Sequence, residues 1–483
     1  MKKNYIYNFL LTVFNIIFPI LSFPYISRIL GPGGVGKVQF VVTFAQYFAL
    51  IAALGIPYYG VREIAKVRSD SDKLSKTFSE LMVIYLTTSL GLSLIYISIV
   101  FAVARFSIDS SYYLTSSLVI LLGFSSIDWF YQGLEEFKSI ALRSILVKLI
   151  SLALMFVFVK KADDALAYLY ITIFSVLGNN FINILILRGK VSLTFSSLQL
   201  KRHFTPLLYI FGINLSAAMY NMLDTILLGL LSNDKAVGYY TASTKIARIA
   251  IPLVISMGIV LLPSITKSFQ DKDGKHVALL KSSYNFIILL SIPITFGLFL
   301  LAPELINLVS GQAFEPAVKP MMILSVLPLL IGLGNLFGVQ VLIAAGMEKQ
   351  MLYAVMLGMF ISIGLNVLMV PKMHEVGAAI VNSLTELIVS FMFIYYARKR
   401  YRLEFPIKIV GYAILSSLPF VPIIYLLRAN MINVTYFLFS SVVVCGFVYF
   451  FLQYYLWRDI HTQNVVIKVK GIVMDVVKRF VKY

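Results

Sequence analysis

Apolar residues fall in long blocks separated by short polar stretches. The blocks run to roughly 18–25 residues, the length that crosses a hydrocarbon core of about 30 Å. Fourteen spans are predicted. The first six are Tyr5–Ile29, Val38–Gly60, Phe78–Ala104, Tyr113–Leu134, Leu142–Val159 and Ala165–Leu187. The next six are Phe204–Leu231, Val237–Ile265, Ser282–Val309, Pro320–Ala344, Met351–Val370 and Gly377–Ala397. Ile409–Leu427 and Thr435–Trp457 complete the set. A backbone facing lipid must satisfy its polar groups within its own segment, so an all-α membrane protein follows. The short alternating segments of a membrane β-barrel are absent.

The connecting stretches are too short to hold a soluble catalytic domain. Only 13% of the 483 residues are charged, and 59% are hydrophobic. The net charge of +19 would suggest nucleic acid in a soluble protein. Here the basic residues sit in short loops between apolar blocks, so no nucleic-acid partner is expected. With the N-terminus inside, 29 of the 41 Lys and Arg residues fall on the cytoplasmic side and 9 on the outer side. That asymmetry places both termini in the cytoplasm. The expected divisions are 1–203 for helices one to six and 204–402 for helices seven to twelve. Residues 403–460 carry the last two spans. In 461–483, Val465, Val469, Ile472, Val476 and Phe480 oppose Lys468, Lys470, Lys478 and Lys482, the pattern of an amphipathic helix on an anionic inner leaflet.

An internal repeat links two of these divisions. Val35–Gly36 in GPGGVGKVQF and Val237–Gly238 in NDKAVGYYT lie 202 positions apart. Each is the outer turn of a two-span hairpin, and an even number of spans separates them. Two parallel six-helix lobes around a central cavity are therefore expected.

Ionisable residues at depth are costly and mark function or fixed pairing. Asp128 and Lys148 are equidistant from Lys138 on the fourth and fifth spans, so an ion pair between them is expected. Asp224 and Lys245 are arranged in the same way about Asp234 on the seventh and eighth, and Arg248 shares a helical face with Lys245. Asn221 extends the polar stripe of Asp224. One carboxylate facing two cations suits a wet cavity that receives an anionic substrate; a buried network that fixes helix register is the structural alternative. Arg28 and Arg62 stand near span ends, where they can also snorkel. The prolines within spans, Pro19, Pro24, Pro252, Pro263, Pro293 and Pro328, would bend helices of a protein that rocks between two states.

No catalytic constellation is visible. His203, His276, His374 and His461 are read as loop or tail residues, Cys445 is the one cysteine, and GPGGVG lacks the residues of a phosphate loop. No metal, cofactor or enzymatic activity is expected.

Four stretches carry a resemblance: DWFYQGLEEFKSIALR from Asp128 to Arg143, YYGVREIAK from Tyr58, LGLLSNDKAVGYYTASTKIARI from Leu228, and GAAIVNSLTELIVSFMFIYYARK from Gly377. Over nearly its whole length the chain resembles bacterial O-antigen and capsule repeat-unit flippases of the multidrug/oligosaccharidyl-lipid/polysaccharide exporter superfamily. The resemblance implies movement of a polyprenyl-diphosphate-linked oligosaccharide from inner to outer leaflet by alternating access. It also implies cationic cavity residues, with Arg28, Arg62 and Arg248 on the helices that carry arginines in lipid II flippases. A polysaccharide polymerase and a chain-length regulator would be pathway partners. The alternatives are a drug/cation antiporter of the same fold, which would favour buried carboxylates over cations, and a membrane polysaccharide polymerase, which would need a large outer loop or an exposed catalytic acid.

Overall fold

The computed structural model describes residues 2–187, 189–196, 198–401 and 404–455; the side chains of 2–6, 8–10, 16, 209 and 213–221 are outside the description. Every regular element among the described residues is helical. Among the described residues, nine helices are long and apolar enough to cross a membrane, or eleven when two bent pairs each count as one span. This is a multi-pass membrane protein. Its exposed surface carries large apolar side chains such as Leu94, Phe181, Val260, Phe391 and Phe439, the arrangement suited to a lipid solvent.

The fourteen expected spans map onto these helices. Lys2–Ala53 runs for 52 residues, but its backbone leaves helical geometry at Gly31 (φ 63°). Glu348–Arg400, with 53 residues, breaks likewise at His374 (φ 47°). A straight rod of that length would reach roughly 80 Å at 1.5 Å per residue, far beyond a bilayer core. Each break falls in the polar gap between two expected spans, so each rod is two spans. Lys201–Leu231 supplies the seventh.

Several boundaries move. The second span ends at Ala53 rather than Gly60, because Leu54 and Gly55 turn the chain with positive φ and a separate helix, Ile56–Val67, follows. The fourth is bent by 42° between Ser110–Leu121 and Gly123–Gly133. The eighth is two helices, Asp234–Ala247 and Ile251–Asp271, with Arg248 at the break and Pro252 opening the second. The tenth contains a π-helical stretch, Asn335–Ile343.

The chain forms two compact units. One comprises Met1–Thr241, Val309–Phe314 and Ile363–Ala378; the other comprises Ala242–Leu308, Glu315–Ser362 and Ala379–Tyr483. In the first, an aromatic core of Phe40, Phe44, Phe48, Tyr96, Phe106 and Tyr113 joins the second, third and fourth spans. Glycines set its two tightest backbone approaches. A Cβ on Gly36 would lie 1.7 Å from the Asp234 carbonyl oxygen, and one on Gly238 would lie 2.0 Å from that of Pro32. The two Val-Gly steps of the sequence repeat therefore touch. Gly60 lies against the Trp129 ring and Gly133 against Ile64, where an added Cβ would come within 2.4 and 2.6 Å. This lets Ile56–Val67 lie close on the short helix Asp128–Gly133. In the second unit, Arg428 pairs with Glu304 at 2.8 Å, and the Tyr449 hydroxyl donates to the Leu289 carbonyl at 2.9 Å, holding the last two spans to the ninth.

Candidate functional site

Asp128 is the centre of a charged network in the first unit. The expected partner, Lys148, is not the one it takes. Arg143 Nη2 donates to Asp128 Oδ1 at 2.5 Å, and Asn183 Nδ2 donates to the same oxygen at 2.8 Å. Lys148 instead donates to Asn15 Oδ1 and lies 5.7 Å from the Phe18 ring. The cause is the local fold. A straight hairpin would have put Asp128 and Lys148 at equal depth. The chain instead bends before Asp128 and turns again at Glu135 (φ 61°), bringing Arg143 back to the carboxylate.

Arg143, at the start of the fifth expected span, is 4% exposed. Its guanidinium stacks over the Tyr131 ring at 4.7 Å, and the Tyr131 hydroxyl donates to the Asn183 carbonyl at 2.6 Å. Lys190 pairs with Glu136 and also lies over Tyr131. At the loop, Arg68 pairs with Glu135 at 2.6 Å, and that hydrogen bond holds the Glu135 carboxyl below its ordinary range. The contrast between the two cations is testable. Arg143→Ala leaves Asp128 half-buried without its counter-charge and should lower the melting temperature by several degrees. Lys148→Ala should change it by much less. Thermal unfolding of purified protein checks this, and equal losses would be inconsistent with the observed pairing.

In front of Asp128 lies a cleft of about 530 Å³, lined by Pro57, Tyr58, Val61, Ser126, Asp128, Trp129 and Gln132. The Gly60 and Gly133 contacts set its walls. Tyr58 is 66% exposed, and the Asp128 side chain is 45% exposed.

A second network was missed in the sequence. Glu80, on Ser71–Ala102, is fully buried. It accepts from Arg202 Nη2 at 2.5 Å, His203 Nε2 at 2.9 Å and the Gln199 backbone N–H at 2.7 Å. With Nε2–H donating to the carboxylate, His203 Nδ1 accepts from the Tyr59 hydroxyl at 2.8 Å. The preceding segment is tied to the same helix: the N–H groups of Ser192 and Thr194 donate to Ser75 Oγ and Ser79 Oγ. His203 lies in the first turn of Lys201–Leu231 rather than in a loop, and it is 2% exposed.

The remaining candidates are placed as follows. Asp224 is buried and accepts from Tyr240 at 3.3 Å and from Asn366 at 2.9 Å. Lys245, half-buried, occupies the last turn of Asp234–Ala247, and Arg248, also half-buried, follows at the break. Arg28 is exposed and lies beside Gly311. Arg62 is exposed on Ile56–Val67; it shares Glu63 with Lys66 and covers the Tyr59 ring at 5.2 Å. The Asn221 side chain lies outside the described residues, as does the tail 461–483. Among the described residues, no group of three or more His, Cys, Asp or Glu is arranged to hold a metal.

Comparisons with known proteins agree with this architecture. A protein of Escherichia coli (strain K12) described as a "Putative O-antigen transporter" is 26% identical over 409 residues, 82% of this chain and 97% of that protein. The solved structure of the lipid II flippase MurJ in an inward closed conformation shares the fold. Its TM-score is 0.76 at 16% identity, covering 95% of this chain and 99% of that one. An inward-facing multidrug resistance MATE family transporter of the MOP superfamily matches at a TM-score of 0.62 and 15% identity, over 81% and 94% of the two chains. The model of one family, described as polysaccharide biosynthesis protein, matches residues 1–269, more than half of the sequence, and the chain belongs to that family.

Proposed function

We propose that this protein is a transporter that flips a polyprenyl-diphosphate-linked oligosaccharide repeat unit from the inner to the outer leaflet, for assembly of a surface polysaccharide such as O-antigen or capsule. The observation that carries this reading is the similarity to the Escherichia coli protein described as a "Putative O-antigen transporter", over 82% of this chain and 97% of that relative. The fold shared with a lipid II flippase supports it. The protein acts without catalysis or cofactor, in the bacterial inner membrane, with both termini cytoplasmic. Residues 1–203 and 204–402 form the two lobes of an alternating-access cycle, and 403–460 add the last two spans. A polysaccharide polymerase and a chain-length regulator act on what it delivers.

Arg248 and Lys245 are the proposed holders of the diphosphate, with Arg28, Arg62 and Asn221 as further substrate contacts. The helix break at Arg248 supports this assignment, because interrupted membrane helices expose polar backbone only where it lines a cavity. Asp224, and Asp128 through Arg143, would serve pairing or coupling. Deletion of the gene should remove surface polysaccharide and leave single repeat units on lipid in the inner leaflet, and the wild-type chain should restore export. Retained polysaccharide in the deletion strain would refute the reading. The topology has its own check. Reporter fusions after Lys73, Lys201, Lys275 and Lys399 should read cytoplasmic, and those after Ser110, Asp234 and Lys372 external. A reversed result at Asp234 would break the two-lobe arrangement.

A further inference from the structure

We propose that the Asp128 cleft is a saccharide-binding site, taking a neutral sugar ring of the lipid-linked substrate rather than its diphosphate. The inference rests on the flippase reading for the source of the sugar, and on the cleft itself for its chemistry. Arg143 and Asn183 both donate to Asp128 Oδ1 from behind. They fix the carboxylate and offset its charge. Among the described residues Oδ2 has no donor, and the side chain stands 45% exposed on the cleft wall. A carboxylate oxygen held in this way is an oriented acceptor for sugar hydroxyls.

Gln132, one helical turn on and exposed, adds an amide that both donates and accepts. Ser126 adds a hydroxyl. Tyr58 presents an aromatic face at the mouth, 66% exposed, against which the apolar face of a pyranose can lie. Trp129 Nε1 is a buried donor in the same wall with no partner among the described residues. The set combines convergent neutral hydrogen-bonding groups with an aromatic platform in a cleft of about 530 Å³, large enough for a sugar ring. It does not suit an anion. The accessible charge is the Asp128 carboxylate, Arg143 lies behind it at 4% exposure, and Arg62 and Lys66 both engage Glu63.

The sequence supplies a direct reporter, since Trp129 and Trp457 are its two tryptophans. In the full-length Trp457→Phe protein, purified in a non-absorbing detergent and excited beyond the tyrosine absorption band, tryptophan emission comes from Trp129 alone. Titration with glucose, galactose, mannose, rhamnose, N-acetylglucosamine and N-acetylgalactosamine should give a saturable change for at least one sugar, and sodium pyrophosphate should give none. Tyr58→Ala and Gln132→Ala are surface changes that should leave the protein folded. Each should weaken that response about 3- to 10-fold, the loss of one hydrogen bond or one aromatic contact. Polysaccharide export by the same variants in a deletion strain separates the two readings. A Trp457→Phe protein that exports normally but responds to none of these sugars overturns the saccharide site and leaves the flippase standing. A response to pyrophosphate alone overturns it as well. Sugar binding by a protein whose loss leaves export intact would uphold the site and refute the flippase.

Discussion

Arg248→Ala should abolish surface polysaccharide while the protein accumulates in the membrane at its normal level. The side chain stands where Asp234–Ala247 ends and before Ile251–Asp271 begins, three residues after Lys245. A guanidinium donating two charge-assisted hydrogen bonds to a phosphate contributes about 3–6 kcal/mol. Its loss should slow transport by more than a hundredfold if that contact is made as the substrate crosses. A helix C-terminus also favours a cation, but by only about 0.3–1 kcal/mol at an accessible site. Arg248→Lys separates the two effects. Lysine keeps the charge at the helix end and loses the planar fork, so it should fold like the wild type and export poorly. Full export by the double variant Arg248→Ala, Lys245→Ala would leave both residues a structural role. Loss of the protein from the membrane would assign Arg248 to the fold.

Glu80→Ala should produce the largest loss of stability. The carboxylate is fully buried and receives three donors, from Arg202, His203 and the Gln199 backbone. Arg202 is partly exposed and can turn to water, whereas His203 and the Gln199 N–H would lose their acceptor. Removing one member of such a network costs about 3–5 kcal/mol. The melting temperature in detergent should fall by about 3–5 °C, because the unfolding entropy of so long a chain is large. Glu80→Gln keeps one acceptor oxygen and should lose less, about 1–3 kcal/mol. A Glu80→Ala protein as stable as the wild type would mean that the network contributes nothing net.

The arrangement of spans was legible in the sequence because membrane helices are set by length and hydropathy. The sixth is Ala165–Leu187 in both readings. The breaks at Gly31 and His374 fall in expected polar gaps. The turn at Leu54–Gly55 and the bend before Asp128 lie inside apolar blocks, where hydropathy is blind and only the backbone registers them. That is also why the Asp128–Lys148 pairing failed. Equal depth assumes straight helices, and the true partner lay at the far end of the same sixteen-residue stretch. Glu80 was within reach of the rule applied to Asp128, as a lone acid inside an expected span. Its partners Arg202 and His203 were read as loop residues because the seventh span was started three residues late.

The glycine contact between Gly36 and Gly238 reaches beyond packing. Shifting Pro32 by the repeat offset of 202 gives Asp234, and the same shift carries Gly36 to Gly238. Gly36 meets the Asp234 carbonyl, while Gly238 meets the Pro32 carbonyl. Each copy touches in the other the counterpart of what touches it. This is the reciprocity of an isologous dimer interface, in which a two-fold axis makes residue i meet j and j meet i. A half-length chain pairing with a second copy of itself would make this contact twice over, with one surface serving both sides. In the present chain the two partners are joined end to end. The glycine at each position is therefore under the constraint of a homodimer seam, and a methyl group at either one would push the backbones of both repeats apart.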